Sequence, residues 1–262
     1  MKIIIITDLE GVAGVVDFET QALSGSKYYE TAKELATEEV NATCEACIEK
    51  DVDEILVIDG HGPGGIIPEK IHKEVKLLHG RPVPTFWELD KKWDGLILLG
   101  YHSMNGTEKG NLNHTYTLEI VNMWLNGEKI GEIGMKIYLA GWFGIPTILI
   151  SGDEAAVKEA EKYVSNIEKC IVKWGITKTS AISLSPLKAR EIIKDKTKRA
   201  LERIKEIKPV KLEGKCEIVI EYLSTADAFN RGEKSDAELI EPTKVRIKGE
   251  NFIDVWKKFY RG

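Results

Sequence analysis

Apolar residues along this chain follow two rhythms. Near-continuous apolar runs at 3–7, 54–58, 95–99 and 146–151 read as strands buried on both faces, the pattern of a parallel sheet. Between them lie stretches with apolar and small residues at i, i+3 and i+4, which predict helices over 28–50, 131–142 and 154–174. Asp153 is placed to cap the last of these. A third pattern interrupts the alternation: residues 117–125 alternate, Asn126-Gly127 supplies a tight turn, and 128–130 return, the signature of a hairpin. Beyond residue 180 the pattern becomes α+β, with strands at 180–184, 216–224 and 239–248. Helices are expected there over 186–207, opened by Pro186, and over 252–260.

Strands alternating with helices predict an α/β fold with a largely parallel sheet. The best candidate joint, 208–215, is too short to separate independent domains. We therefore expect one domain: an α/β core over 1–153 and a smaller, dependent α+β part over 154–262.

Composition adds exclusions. The chain has 262 residues, 43% hydrophobic and 30% charged, with a formal charge of −5. These are ordinary globular values, and the acidic balance gives no reason to expect nucleic acid as a partner. No apolar run approaches the roughly 18 residues that span a bilayer. No signal-peptide pattern opens the chain, so no membrane partner and a cytoplasmic address are expected. Cys44 and Cys47 form a CxxC, but it falls within a helical pattern and lacks a second Cys/His pair at a zinc-finger spacing. It reads as helix packing.

The chemistry collects after three of the strands. The first is followed by Asp8-Leu9-Glu10-Gly11, the second by Asp59-Gly60-His61-Gly62, and the third by Gly100-Tyr101-His102. In open α/β sheets, ligands bind outside the carboxyl ends of the strands. Three strands delivering carboxylates and imidazoles to one edge point to a metal site. Asp8 and Glu10, two apart, face the same side if the backbone is extended. Two adjacent carboxylates repel unless a cation lies between them. Asp59 either orients an imidazole or holds the turn. DGHGPGG lacks the GxxxxGK[ST] of a phosphate loop, which disfavours nucleotide binding. His114 lies in a polar loop, His72 and His79 in a lysine-rich segment. Glu132 opens a helix, where the dipole favours a carboxylate in any case.

In order, TDLEG, DGHG, GYHS, NHT, and NGEKIGE followed by AGWFGIP resemble the DppA-type zinc-dependent D-aminopeptidases. The resemblance is close over roughly the first 150 residues, through ISGD, and continues loosely through LSP and STADAF. The family motif reads Asp-Met-Glu-Gly where this chain has Leu9. The resemblance implies two Zn²⁺ per subunit held by Asp8, Glu10, His61, His102 and Glu132, with His114 as a catalytic histidine. It implies a three-layer α/β/α core, a short peptide substrate, and a ring-shaped homo-oligomer.

Zinc accepts imidazole nitrogen and carboxylate oxygen, and a metal pair needs a bridging carboxylate, for which Asp8 is central. Two Zn²⁺ against three carboxylates and a hydroxide leave a neutral site. The expected reaction is metal-assisted amide hydrolysis, with His114 delivering a proton to the leaving amine. D-selectivity follows from the resemblance alone. Rival readings keep the metals with another amide or phosphoester substrate, or make the chain a non-catalytic peptide- or metal-binding accessory of dipeptide transport. A phosphoesterase would want a cation at the strand ends, and neither Lys109 nor Arg81 lies in such a motif.

Overall fold

The first three apolar runs become neighbouring strands of one sheet. In the computed structural model, which describes residues 1–261, the chain runs β1 (Lys2–Thr7), α1 (Tyr29–Glu49), β2 (Glu54–Asp59), β3 (Lys76–Leu78), β4 (Gly95–Tyr101), β5 (Ile120–Leu125), β6 (Glu128–Lys129), α2 (Glu132–Trp142), β7 (Thr147–Asp153), α3 (Glu154–Tyr163), β8 (Glu168–Thr177), β9 (Ser180–Ser183), α4 (Pro186–Glu202), β10 (Cys216–Tyr222), α5 (Thr225–Gly232), β11 (Glu238–Glu241), β12 (Lys244–Gly249) and α6 (Phe252–Arg261).

Seven strands form the main sheet in the order β3-β2-β1-β4-β7-β8-β9, parallel throughout except for the β8–β9 pair. Isoleucines 3–6 of β1 and residues 96–98 of β4 are fully buried, as a sheet covered on both faces requires. From β1 the chain steps outward through β2 and β3; from β4 it steps the other way through β7 and β8. Right-handed crossovers then put the helices of the two halves on opposite faces. Accordingly α2 and α3 pack together on the face opposite α1, whereas α4, which follows the antiparallel β9, returns to pack against α1. This is the expected largely parallel α/β architecture. A second, antiparallel sheet has the order β11-β12-β10-β5-β6. The two sheets interleave along the chain: hairpin β5–β6 joins the later sheet, and β8–β9 extend the earlier one. The line expected at residue 153 therefore does not coincide with a boundary between sheets.

Several elements differ from expectation. The helix predicted over 154–174 ends at Tyr163, and Glu168–Thr177 is a strand. Buried Glu168, Cys170 and Val172 alternate with the more exposed Lys169 and Ile171, a period of two that outweighs the helical spacing. Asp153 does cap the shortened helix, accepting from the Ala156 N–H at 3.0 Å. The helix opened by Pro186 stops at Glu202 and gives way to a 3₁₀ turn. The strand expected over 216–224 ends at Tyr222, where Ser224 caps α5, an unanticipated helix. The run 239–248 is two strands, because Pro242 lies between them and cannot donate to a ladder. Cys44 and Cys47 are buried thiols on α1, and burial pushes Cys47 up to about 12. Among the described residues, no helix is long and apolar enough to cross a membrane.

Candidate metal centre

The site forms where strand order reverses, between β1 and β4, as the topology of open sheets favours. Thr7 is in register with Asp59 of β2 and Leu99 of β4, so β1 and β2 end at one level and β4 runs two residues further along β7. Asp8 and Gly60 follow directly on β1 and β2, and His102 directly on β4, with Glu10 and His61 one or two residues beyond the first two. Two glycines make the convergence possible. A Cβ on Gly60 would lie 2.2 Å from the Thr7 carbonyl oxygen, and one on Gly100, which has φ +72°, would lie 2.3 Å from that of Asp8.

Contrary to the expectation of extended backbone, the chain turns immediately after Thr7, and the Leu9 N–H donates to Asp8 Oδ1 at 2.9 Å. The turn still aims both carboxylates at one imidazole. His61 Nδ1 is 3.5 Å from Asp8 Oδ1 and 3.1 Å from Glu10 Oε2. The other oxygen, Asp8 Oδ2, is 3.3 Å from His102 Nε2, which is itself 3.4 Å from Glu132 Oε1. Glu132 is the first residue of α2, and its Oε1 also accepts the Tyr116 N–H at 2.7 Å. His114 stacks on His102 with ring centroids 3.9 Å apart, its Nε2 3.9 Å from Glu132 Oε1. Asp8, Glu10 and His61 thus form one group of donors, and His102, His114 and Glu132 another; within each group the ligand atoms lie within 4.8 Å of one another. Asp8 turns one oxygen to each.

The imidazoles are set for ligation. Each donates its remote N–H to a backbone carbonyl: His61 Nε2 to Ala22 at 3.0 Å, His102 Nδ1 to Ser103 at 2.9 Å, and His114 Nδ1 to Leu112 at 3.0 Å. That fixes the tautomer and points the second nitrogen's lone pair inward, as ligating histidines require. His102 Nε2 is buried without a well-formed hydrogen bond among the described residues. Burial opposes charge on His61 and His102, yet the neighbouring carboxylates outweigh it and raise both imidazoles well above their ordinary range, a pull that a bound cation would satisfy in the proton's place. Asp8 lies well below the usual carboxylate range: burial acts against this, and the two histidines prevail. The pocket therefore demands positive charge among its carboxylates, which a divalent cation supplies with matching donor chemistry.

Other candidates fall outside. Asp59 holds its turn, accepting the Gly65 N–H at 2.9 Å through either oxygen and the Ile66 N–H at 3.2 Å. Asp153 is occupied by the Ala156 and Asn111 amides. His72 accepts a local amide at 3.2 Å, and His79 is exposed.

Two buried charges were missed. Lys173, central in β8, donates to the carbonyls of Glu10 and Val15 and so clamps the loop that carries Asp8 and Glu10. Burial lowers it to about 8. Glu39 on α1 accepts the Ala13 N–H of the same loop at 2.9 Å. The available signal was a charged residue at an apolar period in each element. Burial raises Glu39 to about 7. Its protonated form is favoured in the folded chain, so this contribution to stability is present below about 4.5 and lost as pH rises through about 7, by roughly 3 kcal/mol. Glu39→Gln should flatten the fall in unfolding free energy between pH 5 and 8, read by urea denaturation; an unchanged slope would remove Glu39 from that dependence.

A cavity of about 430 Å³ opens over the centre, walled by Phe18, Arg81, Trp87, Tyr116 and Tyr260 as well as the site residues. Its size suits a small molecule or short peptide. A buried cluster of carboxylates and imidazoles at a sheet's switch point, beneath such a cavity, defines a metallohydrolase-type α/β protein. The model of the D-aminopeptidase family, peptidase family M55, matches residues 1–260, and the chain belongs to that family. It is 30% identical over 249 residues to a D-aminopeptidase of Bacillus subtilis (strain 168), covering 94% of this chain and 88% of the relative. A solved structure, described as the Zn-dependent D-aminopeptidase DppA from Bacillus subtilis, a self-compartmentalizing protease, superposes with a TM-score of 0.93. That match has 28% identity and covers 99% of this chain and 95% of the other.

Proposed function

We propose that this chain is a two-zinc aminopeptidase that releases N-terminal residues, D-amino acids in particular, from short peptides or amides. The observation that carries the reading is Asp8, whose two oxygens face separate donor groups, as a carboxylate shared by two metals does. In this reading Asp8, Glu10 and His61 hold one zinc, and Asp8, His102 and Glu132 the other. Bound zinc supplies Lewis acidity toward a carbonyl and an activated water. The family membership and the zinc dependence named for the solved relative support it.

The chain's own residues supply positioning and proton transfer. His114 Nδ1–H is committed to the Leu112 carbonyl, so only Nε2 is free to exchange a proton. Nε2 faces Glu132 at the cavity wall, where it takes a proton from the attacking water and delivers it to the leaving amine. His102 stacked behind it, and Phe18 edge-on with ring centroids 5.4 Å apart, hold the ring in that plane. Lys173 and Arg81 keep the two ligand-bearing loops in place through backbone carbonyls.

We further propose a single domain whose C-terminal part is not independent, a cytoplasmic address and a homo-oligomeric assembly. Exposed Ile176, Ile182 and Leu187, around the β8–β9 hairpin and the start of α4, support an oligomer, as does the self-compartmentalizing relative. The test is hydrolysis of D-alanyl and L-alanyl p-nitroanilides by zinc-loaded protein, with and without a chelator. Chelator-sensitive release from the D substrate is expected. Release from the L substrate alone would remove the D preference, and release from neither would sink the aminopeptidase reading.

A further inference from the structure

Among the described residues, Arg81 is the one lysine or arginine on the wall of the cavity. It comes from the loop between β3 and β4, outside every strand-end motif. Its guanidinium is held in place: Nη1 donates to the carbonyls of Asp59 and Gly80 at 3.1 Å each, and Nη2 to that of Gly60 at 3.0 Å and that of His61. All four partners are neutral. Among the described residues, no carboxylate comes within ion-pairing distance of it, and its Nε–H has no partner. An arginine fixed by carbonyls alone is oriented without being neutralised, so its charge remains available to an anion. The side chain is exposed, and an anion entering the cavity can reach it.

Position then selects the anion. Nη2 is bonded to the backbone carbonyl of His61, whose imidazole faces Asp8 and Glu10. Arg81 and the metal-binding groups therefore line the same cavity, and an anion on Arg81 shares it with a substrate carbonyl at the centre. A short peptide with its scissile carbonyl at the centre carries its C-terminal carboxylate within that same cavity. Among the described residues, no other lysine or arginine lines the cavity.

Resting on the aminopeptidase reading, we propose that Arg81 binds the C-terminal carboxylate of a di- or tripeptide, so that the enzyme selects short peptides by their free carboxylate as well as by their N-terminal residue. The test compares D-alanylglycine with D-alanylglycinamide on the zinc-loaded protein. The free acid should be preferred in kcat/KM by roughly ten- to a hundredfold, the worth of one charge-assisted hydrogen bond, with the difference falling on KM. In Arg81→Gln, which loses the charge, the acid-to-amide ratio should collapse toward one. Arg81→Lys should restore part of it. Equilibrium binding of both peptides to metal-free protein gives a second readout, with the acid tighter in the wild type and the difference gone in Arg81→Gln. A wild-type ratio near one overturns the proposal. So does a variant that loses both substrates equally while keeping the ratio, since Arg81 would then only hold its loop. No hydrolysis of either peptide, together with none of D-alanyl p-nitroanilide, would overturn the aminopeptidase reading itself.

Discussion

Asp8→Ala is expected to lower kcat/KM at least about 10³-fold, equivalent to roughly 4 kcal/mol of transition-state stabilisation, and to reduce bound zinc below two per chain. Asp8 is the one residue within reach of both donor groups, with Oδ1 3.5 Å from His61 Nδ1 and Oδ2 3.3 Å from His102 Nε2. Removing it leaves Glu10 and Glu132 on opposite sides with no shared carboxylate between two dications, whose mutual repulsion then opposes double occupancy. Asp8→Asn separates charge from shape: the amide keeps the volume but not the negative charge, and should be nearly as deficient. Both variants should fold, because β1 is anchored by Ile3–Ile6 and not by the carboxylate. Metal analysis and steady-state kinetics on the same preparations check this. Full metal content with activity within tenfold of wild type would remove the bridge.

His114→Ala should have the opposite division of effects: both zinc ions retained, and kcat reduced by about 10²–10⁴-fold, the usual range for a positioned acid–base group. His114 Nε2 lies 3.9 Å from Glu132 Oε1, and its side chain is 12% exposed at the cavity wall, whereas His102 is sealed behind it at 1%. On the proposed reading, the residue facing the substrate side moves protons and the one behind it is a ligand. His114 nonetheless belongs to the second donor group by distance. If the variant loses one zinc per chain, His114 is a ligand and the proton-transfer assignment passes elsewhere.

Much of the site was legible in sequence because its residues follow strands. A buried parallel strand announces itself as an apolar run, and what lies just past its end is where such sheets bind ligands. Asp8, His61 and His102 were found by that rule, with no side-chain geometry. Glu132 and His114 were not: one opens a helix after a hairpin and the other lies in a loop, and only the family motifs marked them. Lys173 escaped because its segment was read as the end of a helix. Once 168–177 is a strand, a lysine in mid-sheet stands out as a buried charge in need of partners. Arg81 left no sequence signal, since its role depends on which carbonyls surround it. In the fold, the missed elements are those whose local pattern was ambiguous: β3 has three residues, and α5 has eight and follows directly on a strand. Tertiary packing decided both.

The most direct test of the central claim is anomalous X-ray diffraction at the zinc edge from crystals of zinc-loaded protein. Two peaks per chain are predicted, one against Glu10 and His61 and one against His102 and Glu132, with Asp8 between them. A single peak, or two peaks that do not share Asp8, would contradict the two-metal site on which this account rests.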